Sequence, residues 1–472
     1  MSIHGHKDRK LSKTLVALAG VLTVLIPVSR LRTYAVSSAV PVCGPANYCA
    51  RTDVRVEPYP ATPPRLGPAG SIIHDPNFGS RIVRITDPKA DPGGRGRSFM
   101  TPASGEQNAW NTDSTHFYLR TPGGELVLYD FDPQSMQPRQ EGVLRALWGG
   151  EPEFSHIQTN ILYGAGGRRP HIQQYDFSSR QLTNLNKAED CLTLEKNDHV
   201  FGITVSADDQ RFNTVVGPQQ DKNYLIYVFD RKQGCRWYNT ETGEIGGQWG
   251  PKGTVSIPNR FGIHAAKMSK SGQYIWITRG VGTVGKEVFL AWNVDTLAVE
   301  LCSQHCSGHF AMAYSHVVGP TGANHPLEFV RRPLNNLSEA DPVLSDLKPL
   351  RGGEFWYSHH LSWNYVDPND DTPVCLSTFS TFNPSTPGTP LLARNPWENE
   401  VLCIEMDGKG SKIWRFAHTY STARNGFWST PRGNVSQDGR FFLFTSDWED
   451  QLGSTPDSPT AYRTDAFVVE LK

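Results

Sequence analysis

The chain has 472 residues and a formal charge of −1 at pH 7, with 46 Lys and Arg against 47 Asp and Glu. So even a balance argues against a polyanion-binding surface, and nucleic acid is not expected as a partner. Aromatics are 11% and charged residues only 20%, with 43 Gly and 34 Pro, which favours short strands and many turns over long helices.

Residues 1–39 read as an export segment. "HGHKDRKLSK" is basic, "LVALAGVLTVLIPV" (15–28) is an apolar stretch of signal-peptide length, and "TYAVSSA" (33–39) offers small residues for cleavage. The expectation is an exported protein, periplasmic or extracellular. A membrane would be touched only through this segment, if it stays uncleaved. Residues 40–70, with "EPYPATPPRLGPAG", read as an extended Pro-rich linker.

Eight cysteines allow disulfides in an oxidising compartment. Cys43 with Cys49 and Cys302 with Cys306 are near enough to pair locally, although connectivity stays open. "CSQHC" (302–306) could alternatively form half a zinc site with His305 or His309.

From residue 71 onward one unit recurs. In chain order its copies are "NAWNTDSTHFYLRT" (108–121), "EPEFSHIQTNILYG" (151–164), "ITVSADDQRFNTVVG" (203–217) and "HAAKMSKSGQYIWITRG" (264–280). "GHFAMAYSHVVG" (308–319), "HHLSWNYVDPNDDTPVCLSTFS" (359–380) and "SQDGRFFLFTSDWED" (436–450) follow. Each joins two strands through a polar turn, marked by Asn111, Ser155, Ser206, Ser269, Ser315, Asn364 and Ser436. A third strand follows most hairpins, as in "YLIYVFDR" (224–231), and often a fourth, as in "SKIWRFAH" (411–418). Seven units of about 57 residues predict an all-β fold, a seven-bladed β-propeller of four-stranded antiparallel blades over 71–472. The chain ends on a third strand, "AFVVELK", and the body opens on an orphan, "GSRIVRITD" (79–87). The N-terminal strand is therefore expected to complete the last blade, which removes an exposed edge.

"VSQDGRFFLFTSDW" and "MSKSGQYIWITRG" resemble the repeats of Tol-type periplasmic β-propellers. Seven units with His-bearing strand openings and an "SDW" close also resemble the oligogalacturonate lyase family, over most of 71–472. That resemblance implies a metal held by several His and a Gln at the channel mouth, with a His base and Arg residues. The chain departs from it: no Q-x-x-H-x-H stands in the sixth or seventh unit, where "YSHHLSW" (357–363) and "FWSTPRG" (427–433) occur instead. Only the location of a site carries over.

Propeller ligands sit where the inner strands begin. Five residues before each marker lie Glu106, Gly150 (beside Glu151), Phe201, His264, Phe310 (beside His309), His359 and Pro431 (beside Arg432), with His199 close to the third. The metal candidates are thus His264, His309, His359 and His360, for a divalent ion such as Mn, Ca or Zn. His264 or His199 would take a proton and Arg432 would offset a carboxylate. Trp356, Trp428, Glu106 and Gln107 are candidates for substrate binding, and His418 could reach the same face. His116, His156 and His171 read as packing residues. The expected partner is an acidic oligosaccharide, acted on by a lyase- or hydrolase-type enzyme; the alternative is an envelope protein bound by a non-catalytic module.

Overall fold

The computed structural model describes residues 43–472 apart from 45–46, 145–147, 167–170, 187–190, 220–221, 256–260, 281–288, 303–305, 307, 321–328, 344–356, 381–390, 407–411, 425 and 457. The N-terminal segment and Trp356 lie outside the described residues.

Seven antiparallel sheets form the ring of a β-propeller. Each recurrent unit builds the inner part of one blade, and the expected four strands hold for blades 2, 4, 5 and 6. Blade 1 has three strands, His116–Arg120, Leu126–Asp132 and Gln137–Val143; its inner edge is reduced to one bridge from Trp110 to Phe117. Blade 3 is widened to six strands by Glu244–Gly247 and Gly253–Thr254. Blade 7 runs Gly433–Val435, Phe441–Ser446, Asp465–Glu470, Arg81–Arg84 and Ile72–His74, so strands from both ends of the body share a sheet.

The strands of blade 7 show why the repeat is so apolar. Phe441–Ser446 and Asp465–Glu470 are buried throughout, because each face of the blade packs on a neighbour. Trp110 of blade 1 lies against Phe441 and Phe131, and one cluster joins residues of blades 7, 1 and 2. The core is therefore a series of layers between blades.

The marker residue closes each hairpin. The Ser436 hydroxyl accepts the Phe441 N–H at 3.0 Å and donates to Asp438 at 2.6 Å; Ser206 does the same with Arg211 and Asp208. Turn aspartates also link blades. Asp209, at φ 55°, accepts from Ser155, from the His156 N–H and from Tyr163 of blade 2. Asp370, at φ 58°, accepts from Tyr314, Ser315 and His316 of blade 5.

All eight cysteines are paired, as Cys43–Cys49, Cys191–Cys235, Cys302–Cys306 and Cys375–Cys403. The pairing of Cys302 with Cys306 removes the thiolates that a zinc half-site would need. Asn434, which opens an N-x-S glycosylation sequon (434–436), is fully buried, which closes it to glycosylation.

The Pro-rich stretch is extended but docked rather than free. The Tyr48 hydroxyl meets Tyr365 at 2.7 Å and the Gly439 carbonyl at 2.8 Å. Arg51 pairs with Asp53 and Glu57, Asp53 with Arg415, and the Trp448 indole donates to the Pro64 carbonyl. Residues 48–64 thus form a strap over blades 6 and 7.

Asp465 fastens the N-terminal strand to this blade. Fully buried, it accepts from the guanidiniums of Arg84 and Arg463 and the hydroxyl of Thr86, while Arg81 pairs with Glu470. Asp465→Ala leaves the buried Arg463 guanidinium and the half-buried one of Arg84 without their carboxylate, so it is expected to lower unfolding free energy by about 3–5 kcal/mol in urea titrations. A loss within experimental error would show that the pairing of the two chain ends is dispensable.

Candidate functional site

The loop 101–107, leading into blade 1, crosses the top of the channel. The Arg432 carbonyl accepts from the Thr101 hydroxyl, and the Asn434 amide donates to the carbonyls of Ser104, Gly105 and Gln107, at 3.3, 3.0 and 2.8 Å. Gly105 passes so close to blades 6 and 7 that a Cβ there would lie 2.1 Å from the Leu361 carbonyl oxygen and 3.0 Å from that of Gly433. Only glycine fits.

The loop delivers Gln107 to the axis. Its amide donates to the carbonyls of Pro152 (2.9 Å) and Ile203 (2.8 Å), and its oxygen accepts from the Lys267 ammonium at 2.7 Å. One side chain therefore ties blade 1 to blades 2, 3 and 4, and with Lys267 it forms the floor of a cavity of about 720 Å³. The buried Glu153 lies nearby, accepting the N–H groups of Asn108 and Val205; burial pushes its carboxyl up to about 7.

Among the lining residues are Glu106, Glu151, His264, His309, His360 and Trp428. The face expected from the repeat register is thus the face that carries the cavity. Burial raises the Glu106 carboxyl to about 7, against the pull of Lys267 and of the Phe310 N–H. Glu151 pairs with Arg120 at 2.5 Å and accepts the Ala103 N–H at 2.6 Å. Arg120 and Arg432 both stand over the Trp428 indole, at 5.0 and 4.7 Å, and Arg432 over Phe427 as well.

Four sequence candidates are not brought into the cavity. Arg432 is fully buried behind Phe427 and Trp428, where it donates to the carbonyls of Pro102, Phe427 and Trp428; it holds the wall and does not face a ligand. His359 points to the other side of its strand from His360, as successive strand residues must, and packs against Phe329 at 4.8 Å. His199 is exposed at the start of the first strand of blade 3, outside the lining, where Phe201 and Gly202 stand instead. His418 is buried between Tyr59 and Phe78, away from the cavity.

The remaining imidazoles do not compose a metal cage. Among the described residues no group of three or more His, Cys, Asp or Glu could hold an ion. His309 and His360 stack, with centroids 4.2 Å apart and planes within 24°, so their in-plane lone pairs run side by side instead of converging. His309 Nδ1 donates to the His359 carbonyl at 2.7 Å, and burial, then His309 and Arg432, hold His360 well below the usual histidine range.

Sequence reasoning missed Lys267, Arg120 and Arg279, which also line the cavity. In a regular strand His264 and Lys267 would face opposite ways. A bulge between Ile263 and Ala265 shifts the register and turns both toward the cavity.

No family model matches the chain, and no curated protein does. Among solved structures it is similar to an oligogalacturonate lyase in complex with manganese, at 11% identity and TM-score 0.50, covering 87% of this chain and 98% of the other. An oligogalacturonate lyase from Vibrio parahaemolyticus matches at 9% identity and TM-score 0.52, with the same coverage. TolB from Acinetobacter baumannii matches at 14% identity over 56% of this chain and 60% of its own, and its TM-score of 0.32 carries no argument. Fold and cavity define the chain as a seven-bladed β-propeller with an open channel-mouth site. At these identities the likeness extends to the fold alone.

Two substitutions test this arrangement. Gly105→Ala forces the loop off the Leu361 carbonyl and is expected to cost about 1–3 kcal/mol in chemical denaturation; full retention of stability would mean that the loop is loosely held. His418, neutral and held down to about 3 by burial, supplies stability that is complete above about 6.5 and lost as pH falls toward 3. His418→Phe should therefore raise the melting temperature more at pH 5 than at pH 7.5, and an equal shift at both would refute the assignment.

Proposed function

We propose that the channel mouth binds an acidic oligosaccharide of an exported protein's surroundings and that Glu106 moves a proton there, in a lyase- or hydrolase-type reaction. One observation carries the reading: a carboxyl that keeps its proton to about pH 7 faces the same cavity as a cation, Lys267, and two exposed imidazoles, His264 and His309. A general acid is most useful when its pKa lies near the working pH.

The chemistry divides among the walls. Lys267 and Arg279 would hold a sugar carboxylate, the role the sequence suggested for Arg432. His264 would accept the proton beside that carboxylate, and Glu106 would give one to the departing glycosidic oxygen as the bond to it breaks. Trp428 and Phe427, 40% and 44% exposed, offer apolar faces at the rim for sugar rings. The histidines do not fit the expected divalent ion, so no step is assigned to one. Four disulfides support export.

A second reading, a binding module for an envelope protein, is favoured by the same failure of the imidazoles to converge. The two separate by assay. Incubation with acidic oligosaccharides should give the absorbance of an unsaturated product if elimination occurs, or new reducing ends if hydrolysis does. Glu106→Gln should lower turnover by about 10²-fold or more while leaving affinity within a few-fold. Wild-type turnover should decline as pH rises through about 7, where the acid form is lost. Binding without product in the wild type would support the module, and no binding of any acidic oligosaccharide would sink the carbohydrate reading.

A further inference from the structure

Blades 3 and 4 meet in an apolar layer that includes Ile226 and Ile245 of the one and Ile275 and Leu290 of the other. Three polar-tipped side chains are set into this layer. Arg236 and Tyr238 stand two positions apart on strand Gly234–Asn239 of blade 3, so they share a face. Trp292, on strand Phe289–Asn293 of blade 4, packs against them. The Tyr238 and Trp292 rings lie 5.4 Å apart, and the Arg236 guanidinium stands 5.9 Å from the Trp292 ring and 5.1 Å from that of Trp249. Arg236, Tyr238 and Trp292 are all fully buried.

Most of their polar atoms find no protein partner. Arg236 Nη2 donates to the carbonyls of Pro251 at 2.6 Å and Thr296 at 3.3 Å. Arg236 Nε and Nη1, the Tyr238 hydroxyl and the Trp292 indole N–H are buried with no hydrogen-bond partner among the described residues. A buried donor left unmade is costly, and a buried charge without a bonded counter-charge more so. Asp295 acts on the guanidinium from nearby, but its carboxylate is taken by Arg211 in a bidentate pair at 2.9 and 2.7 Å, and Arg211 also holds Asp230. Asp295 therefore eases the burial of Arg236 without supplying an acceptor. Burial, the largest influence, still lowers the guanidinium below the usual arginine range.

We propose that blades 3 and 4 hold a monatomic anion, a halide such as chloride, against Arg236, with the Trp292 N–H and the Tyr238 hydroxyl completing its shell. Closely packed interiors leave few voids larger than a water molecule, so a partner for these donors has to be small. Water suits the group poorly. It must donate two hydrogens of its own, and the Tyr238 oxygen is the one acceptor among these atoms, since guanidinium and indole nitrogens only donate. A halide only accepts, and it sets a negative charge beside a guanidinium to which no carboxylate is bonded. The ion ties together the two blades that bring Phe201 and His264 to the cavity.

This site is independent of whatever the cavity binds, so its test uses salts alone. Protein dialysed into sodium gluconate is melted in sodium chloride, sodium bromide or further gluconate, from about 1 to 100 mM at matched ionic strength. The halides should raise the melting temperature by on the order of 2 °C more than gluconate does. Trp292→Phe removes one donor and keeps a ring, so it should raise the half-saturating chloride concentration about 3- to 10-fold. Arg236→Met should abolish the halide effect. Crystals of the wild type grown in bromide should show anomalous scattering between Arg236 and Trp292, a readout that stands even where Arg236→Met fails to fold. An equal response to halide and gluconate, an unchanged half-saturation in Trp292→Phe, or a water at that position without bromide signal would each overturn the site.

Discussion

The contact between loop 101–107 and the first strand of blade 7 is the constraint on which the site depends. A propeller of seven blades leaves a channel whose inner strands carry backbone groups with no further strand to pair with, and these need partners. Asn434 answers for three carbonyls of the loop, and Gln107 bridges blades 2, 3 and 4 from the loop's tip. The absence of a side chain at Gly105 lets the loop come close enough for both. The same insertion brings Ala103 to Gln107 into the lining of the cavity, with Glu106 among them.

The electrostatics of the cavity follow from that floor. Lys267 is drawn inward by Gln107, a neutral partner, so its charge is not cancelled by a carboxylate hydrogen-bonded to it among the described contacts. Arg120 is balanced by Glu151, and burial keeps a proton on Glu106 up to about pH 7. Below that pH the mouth therefore has cationic groups with few opposing charges, and above it the added carboxylate works against an anionic ligand. Behind the rim, Arg432 has carbonyl partners, the Thr430 hydroxyl and two aromatic rings, so its role is to brace the wall.

Much of the architecture was legible in the residues. Ser436 and its counterparts mark hairpins because a hydroxyl before a tight turn can bond to the strand that returns, a local interaction readable from local sequence. Counting back five residues from those markers located the cavity face, and Glu106, Gly150, Phe201, His264 and Phe310 all line it. The register failed where strands are irregular. The bulge beside His264 brought in Lys267, and strict alternation sent His359 to the far side of His360. The docking of residues 48–64 was hidden for another reason: its contacts are with residues hundreds of positions away, and proline-rich text has no period to betray them.

Sequence alone determined the number of blades, the strand order within each unit and the rim at which inner strands begin, because these follow from short-range alternation and turn chemistry repeated seven times. Tertiary structure decided which side chains meet at the axis, how Glu106 and Glu153 come to hold protons near neutral pH, and that the histidines fail to converge. Those properties depend on burial and on distances between blades, and neither is encoded within any one repeat.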